Sequence, residues 1–233
     1  MIRTWTMAEM TLRDLIRRRT VVGLLFLLPL VFYLARRDDH TGQAVKFLLL
    51  GLGFTSSAAG LFATSAARSL EPRLRLGGYR TIDLYVGRLI ALIAVGLAIA
   101  VPYLAVVLAD QDVQRMPALA LALALTVLVA APLGMLLGSA LARDMEGVLL
   151  LLAVTSAQFL TDPAKISGRV MPFWSAREIA TYAVDLTDIG YLRRGVTHAL
   201  VCAAILFVAT AAIAAVRLRR RRHVRIVSSS APV

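Results

Sequence analysis

The sequence predicts an all-α polytopic membrane protein with six transmembrane helices. Three observations carry that prediction. Of the 233 residues 59% are apolar and 17% charged, against roughly half and a quarter in a soluble domain. The apolar residues are gathered into blocks of about 16 to 26 residues that are nearly free of charge, the length a helix needs for a hydrocarbon core of about 30 Å. No strand-like alternation competes with the blocks, which argues against an outer-membrane barrel. The same composition excludes a soluble enzyme, a disordered tail and a disulfide scaffold, and the single cysteine, Cys202, lies in an apolar block.

In chain order, residues 1–19 read as an amphipathic helix. Trp5, Ala8, Leu12, Leu15 and Ile16 share one helical face, while Arg3, Glu9, Arg13 and Arg17 lie largely elsewhere. A basic helix with a Trp-bearing apolar face suits the membrane interface; the alternative is a simple extension of the first span. The spans follow at 20–35, 44–67, 84–109, 117–142, 147–161 and 197–216, making a transmembrane domain of 20–216 before a basic tail at 217–233. The first and fifth are short for the bilayer, and the fifth reads equally as a broken or re-entrant helix. The first block ends at Leu34-Ala35-Arg36 without a small-x-small cleavage site, so it reads as a retained span rather than a signal peptide. Pro102 and Pro132 are expected to kink their helices, and Gly134-Met-Leu-Leu-Gly138 is a GxxxG helix-contact pattern.

The formal charge of +12 resolves into orientation. With both termini on one side, that side holds seventeen of the 26 basic residues and a net charge of +11, against nine and +1 opposite. The positive-inside rule then places both termini in the cytoplasm. The basic balance therefore points to the membrane, and nucleic acid drops out as a partner.

Two segments are neither span nor simple turn. Residues 68–83, RSLEPRLRLGGYRTID, mix Leu70, Leu74 and Leu76 with Glu71 and several arginines, then break at Gly77-Gly78 before Tyr79. A short helix with Pro72 in its first turn and a glycine hinge is expected. Such a mixture suits a docking surface, although a solvated basic loop would serve topology alone. Residues 162–194 lie outside and carry Ser175-Ala-Arg-Glu178, a capping-box pattern, after Pro172-Phe173-Trp174. Ile179, Tyr182, Ala183 and Leu186 then share a helical face, while Glu178, Asp185 and Asp188 are polar. Phe173, Trp174 and Tyr182 would form an aromatic belt, on a helix either lying at the interface or folding partway into the membrane.

Chemistry-bearing motifs are scarce. No GxxxxGK[ST] loop, HExxH or GxSxG occurs, and His40, His198 and His223 are far apart. Asp144 and Glu146 read as a solvated, helix-capping pair in a short turn. No catalytic residue and no metal ligand is assigned. The mid-span polar residues are mainly hydroxyls, with Thr55 and Ser56 in the second span and Thr155, Ser156 and Gln158 in the fifth. They serve either as packing glue or as the lining of a route for an amphiphilic substrate.

The layout resembles the membrane subunit of type-2 ABC exporters, the ABC-2 permease family. The order of elements carries the resemblance, with a looser local match at Glu71 to Leu89, EPRLRLGGYRTIDLYVGRL, ending in Gly87-Arg88-Leu89. The resemblance implies an N-terminal interfacial helix, a cytoplasmic coupling helix within 68–83 and an external interfacial or re-entrant helix within 162–194. It implies an export permease of the bacterial cytoplasmic (inner) membrane, and the weakly polar spans suit a drug, antibiotic or lipid better than a small hydrophilic solute. Two ABC ATPase subunits would bind ATP and magnesium, with no cofactor on this chain, and a second permease subunit would complete a homo- or heterodimer. Leu70, Glu71, Leu74, Gly77, Gly78 and Tyr79 would face the ATPase. Thr55, Ser56, Thr155, Ser156 and Gln158 would line the path. On that reading, Glu71→Arg or Leu74→Asp spares membrane insertion and uncouples transport. The rival expectation is a stand-alone membrane protein, such as an immunity protein or secondary carrier.

Overall fold

The computed structural model describes residues 2–38, 40–162 and 165–219, and among them every regular element is a helix. In chain order these are α1 (Ile2–Arg17), α2 (Arg19–Leu34), α3 (Thr41–Ala67), α4 (Glu71–Leu76), α5 (Thr81–Asp110), α6 (Met116–Ala140), α7 (Asp144–Leu160), α8 (Ile166–Val170), α9 (Trp174–Val184) and α10 (Ile189–Arg219). The tail beyond Arg219, with His223, falls outside the described residues.

Four helices, α3, α5, α6 and α10, are long and apolar enough to cross a membrane. The other two apolar helices are shorter. α2 has 16 residues and α7 has 17, so each reaches only about 24–26 Å against a core of about 30 Å. Arg36 and Arg37 follow the end of α2, and Asp162 follows the end of α7. Asp144 and Glu146 occupy the first turn of α7, where carboxylates complement the unsatisfied N–H groups.

The bundle is organised around α3 and α6. In both, 72% of the apolar window is buried, against 39% in α5 and 11% in α10, so the first two form the centre and α10 the rim. Their contact depends on missing side chains. A β-carbon on Gly134 would lie 1.9 Å from the Ser57 carbonyl oxygen, one on Gly138 2.6 Å from the Leu61 oxygen, and one on Gly60 2.8 Å from the Ala131 oxygen. The Gly134–Gly138 pattern is thus an α3 contact. With no water to expel between membrane helices, such close approach supplies the dispersion and polar contacts that hold them together. The Ser57 hydroxyl donates across the seam to the Ala130 carbonyl at 3.0 Å. Arg68, just past α3, donates to the Gly138 and Ala142 carbonyls, satisfying acceptors that the end of α6 leaves open.

The outer helices are pinned to this pair. α2 lies on α3 where Gly51 faces Pro29 and Phe32. Pro29, Pro102 and Pro132 all sit inside helices. Pro29 lacks the N–H that would bond the Leu25 carbonyl, and at the next residue the Tyr103 hydroxyl of α5 donates to the Phe26 carbonyl. At the far end Arg37 grips both oxygens of Asp110 while the Tyr33 hydroxyl donates to the same carboxylate, tying α2 to α5.

α1 turns only part of its expected face toward the protein, Ala8 and Leu15 being buried and Leu12 half-buried. Met7 and Thr11 are also buried, whereas Trp5 is 70% and Ile16 59% exposed. The reason is a partner: α1 packs along α5, where a β-carbon on Gly87 would lie 2.6 Å from the Thr4 carbonyl oxygen. The Thr4 hydroxyl donates to Asp83 at 2.9 Å. α9 departs from its expected start. It starts at Trp174, so Ser175 and Glu178 lie inside the helix and form no capping box. Glu178 instead accepts from Arg194 of α10 at 3.2 Å. Phe173 and Trp174 are buried rather than belt residues, and Leu186 lies beyond the end of the helix at Val184. Phe173 fills the space opposite Gly53 of α3.

Gly134→Ala is expected to destabilise the protein by about 1–3 kcal/mol, read as a lower unfolding temperature in neutral detergent. Gly23→Ala is the control, since no atom lies within 4 Å of its added carbon, and it should stay within about 0.5 kcal/mol.

Candidate functional site: the α4 segment and the polar core

α4 is a six-residue helix with Leu70 as N-cap, Glu71 in its first turn and Pro72 in the N1/N2 position. Proline is tolerated there because its missing N–H has no intrahelical acceptor anyway. The helix stops at two glycines. Gly77 N–H donates to the Arg73 carbonyl and Gly78 N–H to Arg75, and Tyr79 N–H reaches back to Leu74 at 3.2 Å. Gly78 has φ +86°, the sole left-handed residue among the described ones, so a β-carbon there would be strained. Arg3 of α1 donates to the Gly78 carbonyl, which fixes the turn to the N-terminal helix.

The six residues of the expected docking face divide. Leu70 is 52% exposed, the glycines are exposed, and Leu74 and Tyr79 are half-buried. Glu71 is only 5% exposed and points inward. Both terminal nitrogens of Arg88, itself 3% exposed, donate to Glu71 Oε1 at 3.1 Å. Glu71 is therefore an anchor and not a contact residue. Glu71→Arg would drive a second cation against the buried Arg88, so it perturbs the fold as well as any docking face. The outward surface is instead Leu70, Leu76, Arg73 and Arg75, with Leu76 91% exposed.

The path candidates do not converge on one polar cavity. Thr55 donates to the Gly51 and Leu52 carbonyls of its own helix, and Thr155 to Leu151. Each hydroxyl is thereby satisfied locally. The Ser56 hydroxyl is buried with no hydrogen-bond partner among the described residues, and it faces Gly96 across the α3–α5 contact. Ser156 is exposed on α7. Gln158 accepts from the Phe173 N–H at 3.3 Å and lines a crevice beside α9. Of the five, only Gln158 bonds to another segment of the chain, and the two threonines are spent on their own helices.

A larger opening lies at the α4 end. A cleft of about 480 Å³ runs between α1, α2, α3 and the start of α7, with Val21, Leu15 and Phe62 on its walls and Asp14, Arg18, Arg68 and Asp144 around it. An apolar body with a charged rim matches an amphiphile better than a hydrophilic solute.

The chain matches no protein-family model and no curated protein.

The Glu71–Arg88 pair was missed because each residue was judged by its own neighbours in the chain. The available signal was an acid and a base 17 positions apart on either side of a glycine hinge. Removing one partner strands a buried charge, so Glu71→Ala or Arg88→Ala alone should cost about 3–5 kcal/mol. The double variant Glu71→Leu with Arg88→Met should cost less than either single change when unfolding is followed in detergent. Additive losses would refute the pairing.

Proposed function

We propose that this chain is the membrane-spanning permease subunit of an ATP-driven exporter. On this reading α1 lies along the cytoplasmic leaflet, α2 and α7 complete six spans, and both termini are cytoplasmic. The observation that carries the proposal is the α4 segment. A six-residue helix presents Leu70, Leu76, Arg73 and Arg75 outward while a buried ion pair ties it to the first turns of a 30-residue apolar helix. Short amphipathic elements held rigidly on a transmembrane helix are suited to passing the motion of a bound partner into the bilayer. A solvated topological loop has no need of a desolvated pair, whose assembly is costly.

The partner would be a pair of separate ATPase subunits that carry ATP and magnesium, with a second permease subunit, identical or different, alongside. ATP-driven closure has to bind one arrangement of the spans better than the other, since a partner without differential affinity shifts nothing. Within this chain the force would run from α4 through Glu71 and Arg88 into α5, and through Arg3 into α1. The cleft bounded by Val21 and Phe62 is the entry favoured for an amphiphilic or hydrophobic substrate such as a drug, antibiotic or lipid.

Leu76→Asp tests the proposal with little risk to folding, because the side chain is 91% exposed. The variant should insert and purify with an unchanged unfolding temperature, yet lose co-purification with a nucleotide-binding ATPase expressed beside it. Full transport by the chain alone, or unaltered ATPase capture by both Leu76→Asp and Leu70→Asp, would refute the reading.

A further inference from the structure

At the opposite end of the bundle from α4, nine basic residues lie on the face that orientation places outside. Several are employed in holding the fold. Arg37 grips Asp110, Arg115 donates to the Tyr182 and Asp185 carbonyls while covering the Tyr182 ring, and Arg194 pairs with Glu178. Lys46 and Arg177 are different. Both are half-buried, and among the described residues neither makes a hydrogen bond or an ion pair. They line the same crevice of about 240 Å³ between α3, α7 and α9. The two cations repel each other, while Asp185 and Glu178 act on Lys46 only from a distance.

We propose that this crevice binds a phosphate headgroup. Two like charges sharing a half-buried space lose hydration and repel, and an anion between them offsets both costs. The ammonium offers three donors and the guanidinium a planar fork. Gln158 adds a further donor: its Oε1 is taken by the Phe173 N–H, which leaves its amide nitrogen free to donate. Gln43 stands exposed at the mouth, and Leu50 and Phe173 supply an apolar wall. That combination of three donor side chains and an apolar wall fits a tetrahedral oxyanion carried by an amphiphile. The site requires no ATPase and does not rest on the permease reading.

The test titrates the full chain in neutral detergent with dihexanoyl phosphatidylglycerol, following binding by thermophoresis. Binding should saturate and weaken about tenfold in Lys46→Gln and in Arg177→Gln, and further in the double variant. Lys46→Arg should retain it, and so should Arg193→Gln in the separate groove beside His198. Dihexanoyl phosphatidylcholine, whose own cation offsets the phosphate, should bind more weakly. Inorganic phosphate separates the two sources of the anion: weaker binding than the lipid supports a lipid headgroup, and equal binding overturns the amphiphile in favour of a free ion. If unfolding temperatures show the variants folded and the double variant binds phosphatidylglycerol as the parent does, the site is refuted.

Discussion

The backbone-to-backbone contact of α3 with α6 is the constraint on which the rest of the molecule depends. Apolar side chains gain little by leaving lipid for protein, so a bundle of Leu, Val and Ala has no reason to choose one arrangement over another. Gly60, Gly134 and Gly138 remove that degeneracy by bringing carbonyl oxygens to where β-carbons would otherwise stand. Ser57 and Arg68 then bond across the seam. Once this pair is set, α2 can lie only where Gly51 admits Pro29, and Phe173 only where Gly53 leaves room.

Charge is handled by a second rule: buried charge is paired, and at the ends it is paired or spent on helix termini. Glu71 and Arg88 illustrate the first case, being almost wholly removed from solvent and bonded to each other. Asp83 illustrates the second. It accepts the Arg80 N–H at the start of α5 and the Thr4 hydroxyl of α1, so one carboxylate both caps a helix and docks another. Through these contacts α1, α4 and the beginning of α5 are tied to one another by Arg3, Thr4, Asp83 and Arg88. On the proposed reading this tied corner is what a motor subunit would push. The crevice of Lys46 and Arg177 stands out as the exception to the pairing rule, which is why it invites an anion.

Much of the fold was legible in the chain. The long apolar blocks became helices because an unbroken apolar run in lipid has no other way to satisfy its backbone. The glycine break after Leu76 and the tolerated Pro72 were readable because both act on backbone dihedrals within four residues. The neighbours of α1 and α9 were not. Periodicity ranks residues by polarity, and it cannot know that α5 will cover Met7 or that Arg194 will claim Glu178.

The sequence by itself determined that this protein is helical, rich in segments suited to a membrane, and broken by a short helix between two long ones, because composition and local dihedral preference act at close range along the chain. Only the tertiary structure decided that Glu71 is an anchor and not a contact, that the threonine hydroxyls of α3 and α7 turn back on their own helices, and that Lys46 shares a crevice with Arg177. Those outcomes depend on which helices meet and at what distance. That is settled by a few glycines whose importance lies in the neighbour they admit, and a chain read in one dimension does not name the neighbour.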